Sequence, residues 1–283
     1  MSTQDEVEVS YDVSNDFFRL WLDEKMNYTC ALYGDEDITL EEAQNRKLDW
    51  LSRAARVTPQ SRVLDIGCGW GANLEHLSKV EGVRHATGIT LSREQLAEVK
   101  ARNLPNVEAL LCDYRDFEPT ERYDAIISIC MMEHISTPEE AREGNHLSLY
   151  RDYFKKAHSW TNPGAWFGLQ TILRNRVPRN RADLQDLGFV TYAIFPGGLS
   201  LRLEDVIQSV TPYWEVMEVQ TRRVDYQKTC AEWLARMRSH EAHIRDRFGS
   251  QVFDDYDRYL RTCVRAFDQH YQSLAQYALK RVD

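Results

Sequence analysis

The sequence predicts an α/β protein with a doubly wound, mostly parallel sheet, a helical N-terminal cover and an inserted lid. Three observations carry this. From Val63 onward, short apolar runs alternate with amphipathic helical stretches, the pitch of strands joined by crossover helices. The first run ends in glycines at alternate positions, Gly67, Gly69 and Gly71, a strand-to-helix turn at which backbone comes close to a ligand. At 283 residues the chain is long enough to bury one large core with an elaborated lid.

Residues 1–58 read as a helical cover ahead of the sheet. Phe17, Phe18, Trp21 and Leu22 are spaced for one helix face. Thr39-Leu40-Glu41-Glu42 has the form of a capping box opening a helix through Ala55, with Pro59 beyond it. Strands are expected at 63–66, 85–89, 107–111, 125–129 and 166–171. Helices are expected at 72–80, 93–103 and 147–160, with a crossover helix near Asp116. From 173 to 203 the pattern breaks into arginines, prolines and the Phe195-Pro196-Gly197-Gly198 turn, the composition of a lid. A further strand at 214–221 and helices near 230–243 and 253–267 follow. By periodicity alone 273–280 fits a helix or an edge strand.

Composition excludes several classes. The net charge of −9 is opposite to a nucleic-acid footprint and to simple attachment to anionic lipid. No run approaches the roughly 20 apolar residues of a spanning helix, and the acidic N-terminus has no signal-peptide core. The six cysteines, Cys30, Cys68, Cys112, Cys130, Cys230 and Cys263, form no C-x-x-C pair. Such scattering suits a reducing cytoplasm better than a disulfide framework or a metal site.

The glycine loop lacks the Lys-Ser/Thr of a phosphate-cradling P-loop and the spacing of the dinucleotide fingerprint. Instead Asp65-Ile66-Gly67-Cys68-Gly69-Trp70-Gly71 resembles the first motif of class I S-adenosylmethionine (SAM) methyltransferases. Asp65 can orient that loop or bond a cationic ligand. Ligands of such sheets bind beyond the carboxyl ends of strands. Thr90, with Gln95 one turn on, stands where many nucleotide folds place an acid for the ribose. Asp113 can accept from an adenine amino group, or it can cap a turn, while Tyr114 covers the base. Glu133, after the fourth strand, is a carboxylate among apolar residues that can hold a cation or act as a base.

Motifs along nearly the whole chain resemble one family, the cyclopropane fatty acid and mycolic acid cyclopropane synthases. Tyr11-Asp12-Val13-Ser14-Asn15-Asp16-Phe17-Phe18 is similar to its Y-D-x-S-x-x-F-F opening, and Tyr28-Thr29-Cys30-Ala31 to its Y-S/T-C-A. Thr39 to Gln44, Gly88 to Ser92, Met132-Glu133-His134, Ile194 to Gly198 and Asp225 to Thr229, followed by Trp233, extend the match.

The resemblance implies one SAM methyltransferase domain, 1–283, on a Rossmann-like sheet. Residues 1–58 would form the cover, 59–172 the SAM-binding core, 173–203 the lid and 204–283 the C-terminal core, ending in a strand. It implies methyl transfer from SAM to an alkene carbon of an unsaturated acyl chain, or of an isoprenoid or polyketide-like metabolite. Tyr28, Thr29, Gly67 and Gly69 would close on SAM, Thr90 and Gln95 on its ribose or methionine part, and Tyr114 on its adenine. Cys30, Glu133, Tyr226 and the backbone of Ile129 would hold a bicarbonate acting as general base. Tyr226 and Trp233 can stabilise positive charge, although Trp233 fits core packing equally well.

Two departures stand out. The family's bicarbonate site includes a histidine where this chain has Gln170, a neutral amide; the expectation is weaker dependence on bicarbonate and a base that differs. The 136–147 link is longer than the family's and carries an acidic run. The lid adds Arg174, Arg176, Arg179 and Arg181, suited either to a solvated loop or to a phosphate on a carrier- or pyrophosphate-linked substrate. An N-methyltransferase of small amines is the rival reading; it requires carboxylates facing the methyl.

Overall fold

The computed structural model of the chain describes residues 14–283; Tyr11, Asp12 and Val13 of the opening motif lie outside the described residues. The chain enters through a short helix, α1 (Asn15–Arg19), whose Phe17 and Phe18 are buried. Helix α2 (Leu40–Ala54) begins with the predicted capping box, the Thr39 hydroxyl accepting from the Glu42 N–H and the Glu42 carboxylate accepting from the Thr39 N–H. Its buried stripe is Leu40, Ala43, Gln44, Lys47, Leu48 and Leu51, spaced for one face. That face lies on the sheet so closely that a Cβ at Gly168 would stand 2.7 Å from the Leu51 carbonyl oxygen.

Seven strands form one sheet: β1 (Arg62–Ile66), β2 (His85–Thr90), β3 (Val107–Leu111), β4 (Tyr123–Ile129), β5 (Thr161–Arg174), β6 (Trp214–Thr221) and β7 (Gln272–Arg281). Their order is β3-β2-β1-β4-β5-β7-β6. Strands β1 to β5 run parallel, and β7 pairs antiparallel with both β5 and β6. The order reverses between β1 and β4, which opens a crevice above their carboxyl ends. Helices α3 (Ala72–Lys79), α4 (Arg93–Ala101) and α6 (His146–Ser159) cover the parallel half. The stretch that fitted helix or strand is β7, with an unbroken buried run from Ser273 to Leu279. Such a run marks a strand covered on both faces.

Two segments differ from their sequence reading, and a third takes a form the sequence left open. No helix forms near Asp116; the Arg115 N–H bonds the Asp113 carboxylate instead, and this turn with Pro119 leaves too few residues before β4. The acidic link holds a one-turn helix, α5 (Pro138–Arg142), with its own capping box at Thr137. The expected lid contains helix at its centre: α7 (Arg181–Phe189) runs into a π-helical turn at Val190–Ile194, and α8 (Leu203–Val210) follows the lid.

Helices α9 (Arg223–Ser239), α10 (Glu241–Arg247) and α11 (Ser250–Asp268) pack against the cover. Phe17 meets Tyr256 at a 4.7 Å centroid distance, and Trp21 meets Tyr28 at 5.3 Å and Trp233 at 6.0 Å. Edge-to-face pairs of this kind each add about 0.5–1.5 kcal/mol beyond burial. They tie the cover to the C-terminal helices above the crevice.

Candidate active site

A cleft of about 1130 Å³, counted to its open mouth, lies over the carboxyl ends of β1, β2 and β4. Its floor is the glycine loop. Gly67 has φ +80°, and a Cβ there would meet Met131 at 3.0 Å; only glycine gives this backbone at no steric cost. Asp65, at the end of β1, is buried. One of its oxygens accepts from Asn73 at 3.1 Å, and the other, Oδ1, has no partner. Burial raises its carboxyl to about 7. An orphaned buried carboxylate oxygen beside glycine backbone fits the cationic end of a SAM molecule, which would complete its hydrogen bonds and favour its charge.

All the residues assigned to SAM from sequence line this one cleft: Tyr28, Thr29, Asp65, Gly67, Gly69, Thr90, Gln95, Asp113 and Tyr114. The Thr90 hydroxyl donates to the Gln95 amide oxygen at 2.7 Å, so the pair offers polar groups where no acid stands. Asp113 accepts from the Arg115 backbone and guanidinium, which hold its carboxyl below the usual range against the opposing effect of burial. It therefore caps a turn and lines the cleft together. Tyr114 packs edge-on against Tyr153 at 5.3 Å.

Lys47 and His134 are among the cleft residues to which sequence reasoning gave no role. Lys47 is fully buried, and its ammonium donates to Asn27 Oδ1 at 2.8 Å and Thr29 Oγ1 at 3.1 Å, holding the cover segment in place. Burial lowers it to about 8. The signal was present: a lysine on the apolar stripe of an amphipathic helix. His134 also lines the cleft, with a buried Nδ1 that has no partner, and burial lowers it to about 4.

The residues assigned to the base behave differently. Ile129 lines the cleft, while Cys30, Glu133, Gln170 and Tyr226 stand behind it, around Cys130. Cys130 follows β4 with φ +54°, an uncommon backbone for a non-glycine residue. Its amide donates to the Gln170 carbonyl at 2.8 Å, and the Gln170 side chain reaches its Sγ at 3.6 Å. Glu133 and Cys30 lie within electrostatic reach of Cys130, as Cys130 and Cys30 do of Tyr226. Glu133 Oε1 accepts from the Ile172 N–H at 2.5 Å and Oε2 has no partner; burial raises this carboxyl to about 7. The Tyr226 ring stacks on Phe267 at 4.5 Å and meets Trp233 edge-on at 6.2 Å. Lid and site are joined directly, since the Leu199 N–H donates to the Glu133 carbonyl at 2.8 Å. Phe195 of the lid turn packs 6.2 Å from Tyr28.

Of the lid arginines, Arg176 is engaged: two of its guanidinium nitrogens donate to the Gln269 carbonyl, and it lies over the Tyr271 ring. Arg174, Arg179 and Arg181 are exposed. Two acids and a histidine that approach one another elsewhere, Asp49, Glu81 and His76, lie away from the cleft. No helix among the described residues is long and apolar enough to cross a membrane.

The switch-point cleft and its glycine floor define a class I SAM-dependent methyltransferase. The profile of the family described as mycolic acid cyclopropane synthetase matches residues 1–277. Cyclopropane mycolic acid synthase 2 of Mycobacterium bovis is 30% identical over 287 residues, covering 95% of this chain and 92% of that one. Among solved structures, the cyclopropane synthase MmaA2 from Mycobacterium tuberculosis matches with a TM-score of 0.89 at 30% identity, over 99% of each chain. Mycolic acid cyclopropane synthase CmaA1, complexed with SAH and CTAB, matches with a TM-score of 0.89 at 28% identity, again over 99% of each. The chain belongs to the cyclopropane synthase family, and SAM is its cofactor.

Proposed function

We propose that this enzyme transfers the methyl of SAM to a carbon of a double bond in an unsaturated acyl chain or a comparable isoprenoid or polyketide-like metabolite. The observation that carries the reading is the wall of the reactive end. Beyond Ile129 and Cys130 stand aromatic rings, Tyr28, Phe195, Tyr226 and Trp233, and one buried carboxyl, Glu133. When bound, SAM supplies an electrophilic methyl that needs only in-line placement. The chain's residues do the rest. The glycine loop and Asp65 fix the cofactor, Lys47 holds the cover segment over it, and the lid turn excludes water from the developing cation. Ring faces at Tyr226 and Trp233 steady that charge.

Glu133 would act as, or organise, the acceptor of the proton that must leave if a ring is to close. Burial raises its carboxyl to about 7, so it can take up a proton near neutral pH, as an acceptor in this role must. The exposed Arg174, Arg179 and Arg181 on the lid would meet the phosphate of a carrier or head group. All six cysteines are free thiols, which supports a reducing compartment, the cytoplasm. The test is mass spectrometry of products formed from methyl-labelled SAM with unsaturated fatty acids, their phospholipids and small amines. Label in an amine and none in an alkene would overturn the proposal.

A further inference from the structure

One rung of the sheet is polar from edge to centre. Gln220 on β6 stands opposite Gln276 on β7, Gln276 opposite Gln170 on β5, and Gln170 opposite Ile129 on β4. Arg222, just past β6, donates through Nε to Gln276 Oε1 at 3.1 Å and also bonds Gln220. Gln276 Nε2 donates to Gln170 Oε1 at 2.9 Å, and Gln170 Nε2 reaches Cys130 Sγ at 3.6 Å. Gln170 and Gln276 are wholly buried, so water cannot substitute for these partners.

The direction of this chain is set at one end. A guanidinium has donors only, so Gln276 must turn its oxygen to Arg222 and its N–H₂ toward Gln170. Gln170 must then spend its oxygen on Gln276, and its N–H₂ is left toward Cys130 Sγ, on which Cys30, Tyr226 and Glu133 also converge. We propose that Arg222 and Gln276 are positioning residues that lock the Gln170 amide with its donor toward that cluster, making it the neutral replacement for a cationic partner of a small oxyanion. The inference rests on the reading of that cluster as a bicarbonate pocket. The contact to a thiol sulfur is weak and would yield to a charged oxygen, which an N–H binds more strongly. Donors in series also polarise one another.

The test uses the full chain with sodium bicarbonate in degassed buffer, with sodium chloride as the ionic-strength control. Bicarbonate binding is followed by titration calorimetry in the presence of SAH, so it does not depend on turnover. Gln276→Glu offers acceptors only; it takes the donors of both Arg222 and Gln170 and turns the Gln170 oxygen toward the pocket. Bicarbonate affinity should fall at least about ten-fold, with SAH affinity within about two-fold of wild type. Arg222→Met should weaken bicarbonate likewise, and Arg222→Lys, again donor-only, should restore it. Should Gln276→Glu fail to fold, the Met and Lys pair at Arg222 decides alone. Equal bicarbonate affinity in wild type, Gln276→Glu and Arg222→Met would overturn the relay, as would equal losses in Arg222→Lys and Arg222→Met. Absence of bicarbonate binding in the wild type would also overturn it, while labelled alkene product would show that the methyl-transfer reading stands independently.

Discussion

Replacing Asp65 with Asn should abolish a pH dependence of SAM binding that the wild type shows near neutrality. In the ligand-free protein the buried carboxyl titrates at about 7, raised from 3.8 by desolvation. Its unpartnered oxygen awaits a cation, so binding favours the ionised form. Below about pH 7 a bound proton must first leave; above it the carboxylate is ready. Affinity is therefore full on the alkaline side and lost as pH falls. For a group titrating at about 7, passing from about pH 7.5 to about pH 6 lowers affinity about eight-fold. The most that complete restoration of an ordinary carboxylate could contribute is about 4 kcal/mol. Calorimetry in buffers of different ionisation heat should show proton release on binding at about pH 6.5. The same raised value means that Asp65 destabilises the ligand-free fold as pH rises from about 4 through 7. Affinity that is flat with pH in the wild type, or an equal slope in Asp65→Asn, would refute the assignment.

Gly67→Val places a β-branched residue at φ +80° against Met131, a local strain of about 1–3 kcal/mol; SAM affinity should drop ten-fold or more by calorimetry while the circular dichroism spectrum is kept. Glu133→Gln and Tyr226→Phe should lower turnover about 10²-fold with little change in SAM affinity, the scale of a lost acid-base or electrostatic role; turnover within a few-fold of wild type in both would remove that role. Arg179→Ser combined with Arg181→Ser should raise KM for a phosphate-bearing substrate and leave KM for the free acid unchanged in steady-state assays.

The parts of the fold legible in the sequence were those written in local chemistry. The Thr39–Glu42 capping box, the glycine turn after β1 and the alternation of apolar runs each depend on neighbours a few residues apart. The missing helix near Asp116 shows the limit of that reading, since one side chain bonding its own turn was enough to replace a crossover. The β7 stretch was ambiguous because a strand buried on both faces has no alternation to show. In the site, Asp65, Gly67, Thr90 and Asp113 were legible because they stand at or just past strand ends, whereas Tyr28 and Thr29, on the cover, were reached only through the family motif. Lys47 could have been found as a cation on a buried stripe. Gln276 could not: its meaning lies in facing Gln170, 106 positions away, a register that no local pattern encodes.

The strand latest in sequence occupies the sixth place of seven in the sheet, and among the described residues β6 pairs with β7 alone. During synthesis, the cofactor cleft can assemble from β1, β2 and β4 while β6 must wait, its edge unpaired, for the last ten residues of the sheet to leave the ribosome. A chain stopped at that moment would carry the glycine loop but no polar rung, because Gln276 joins Gln220 to Gln170.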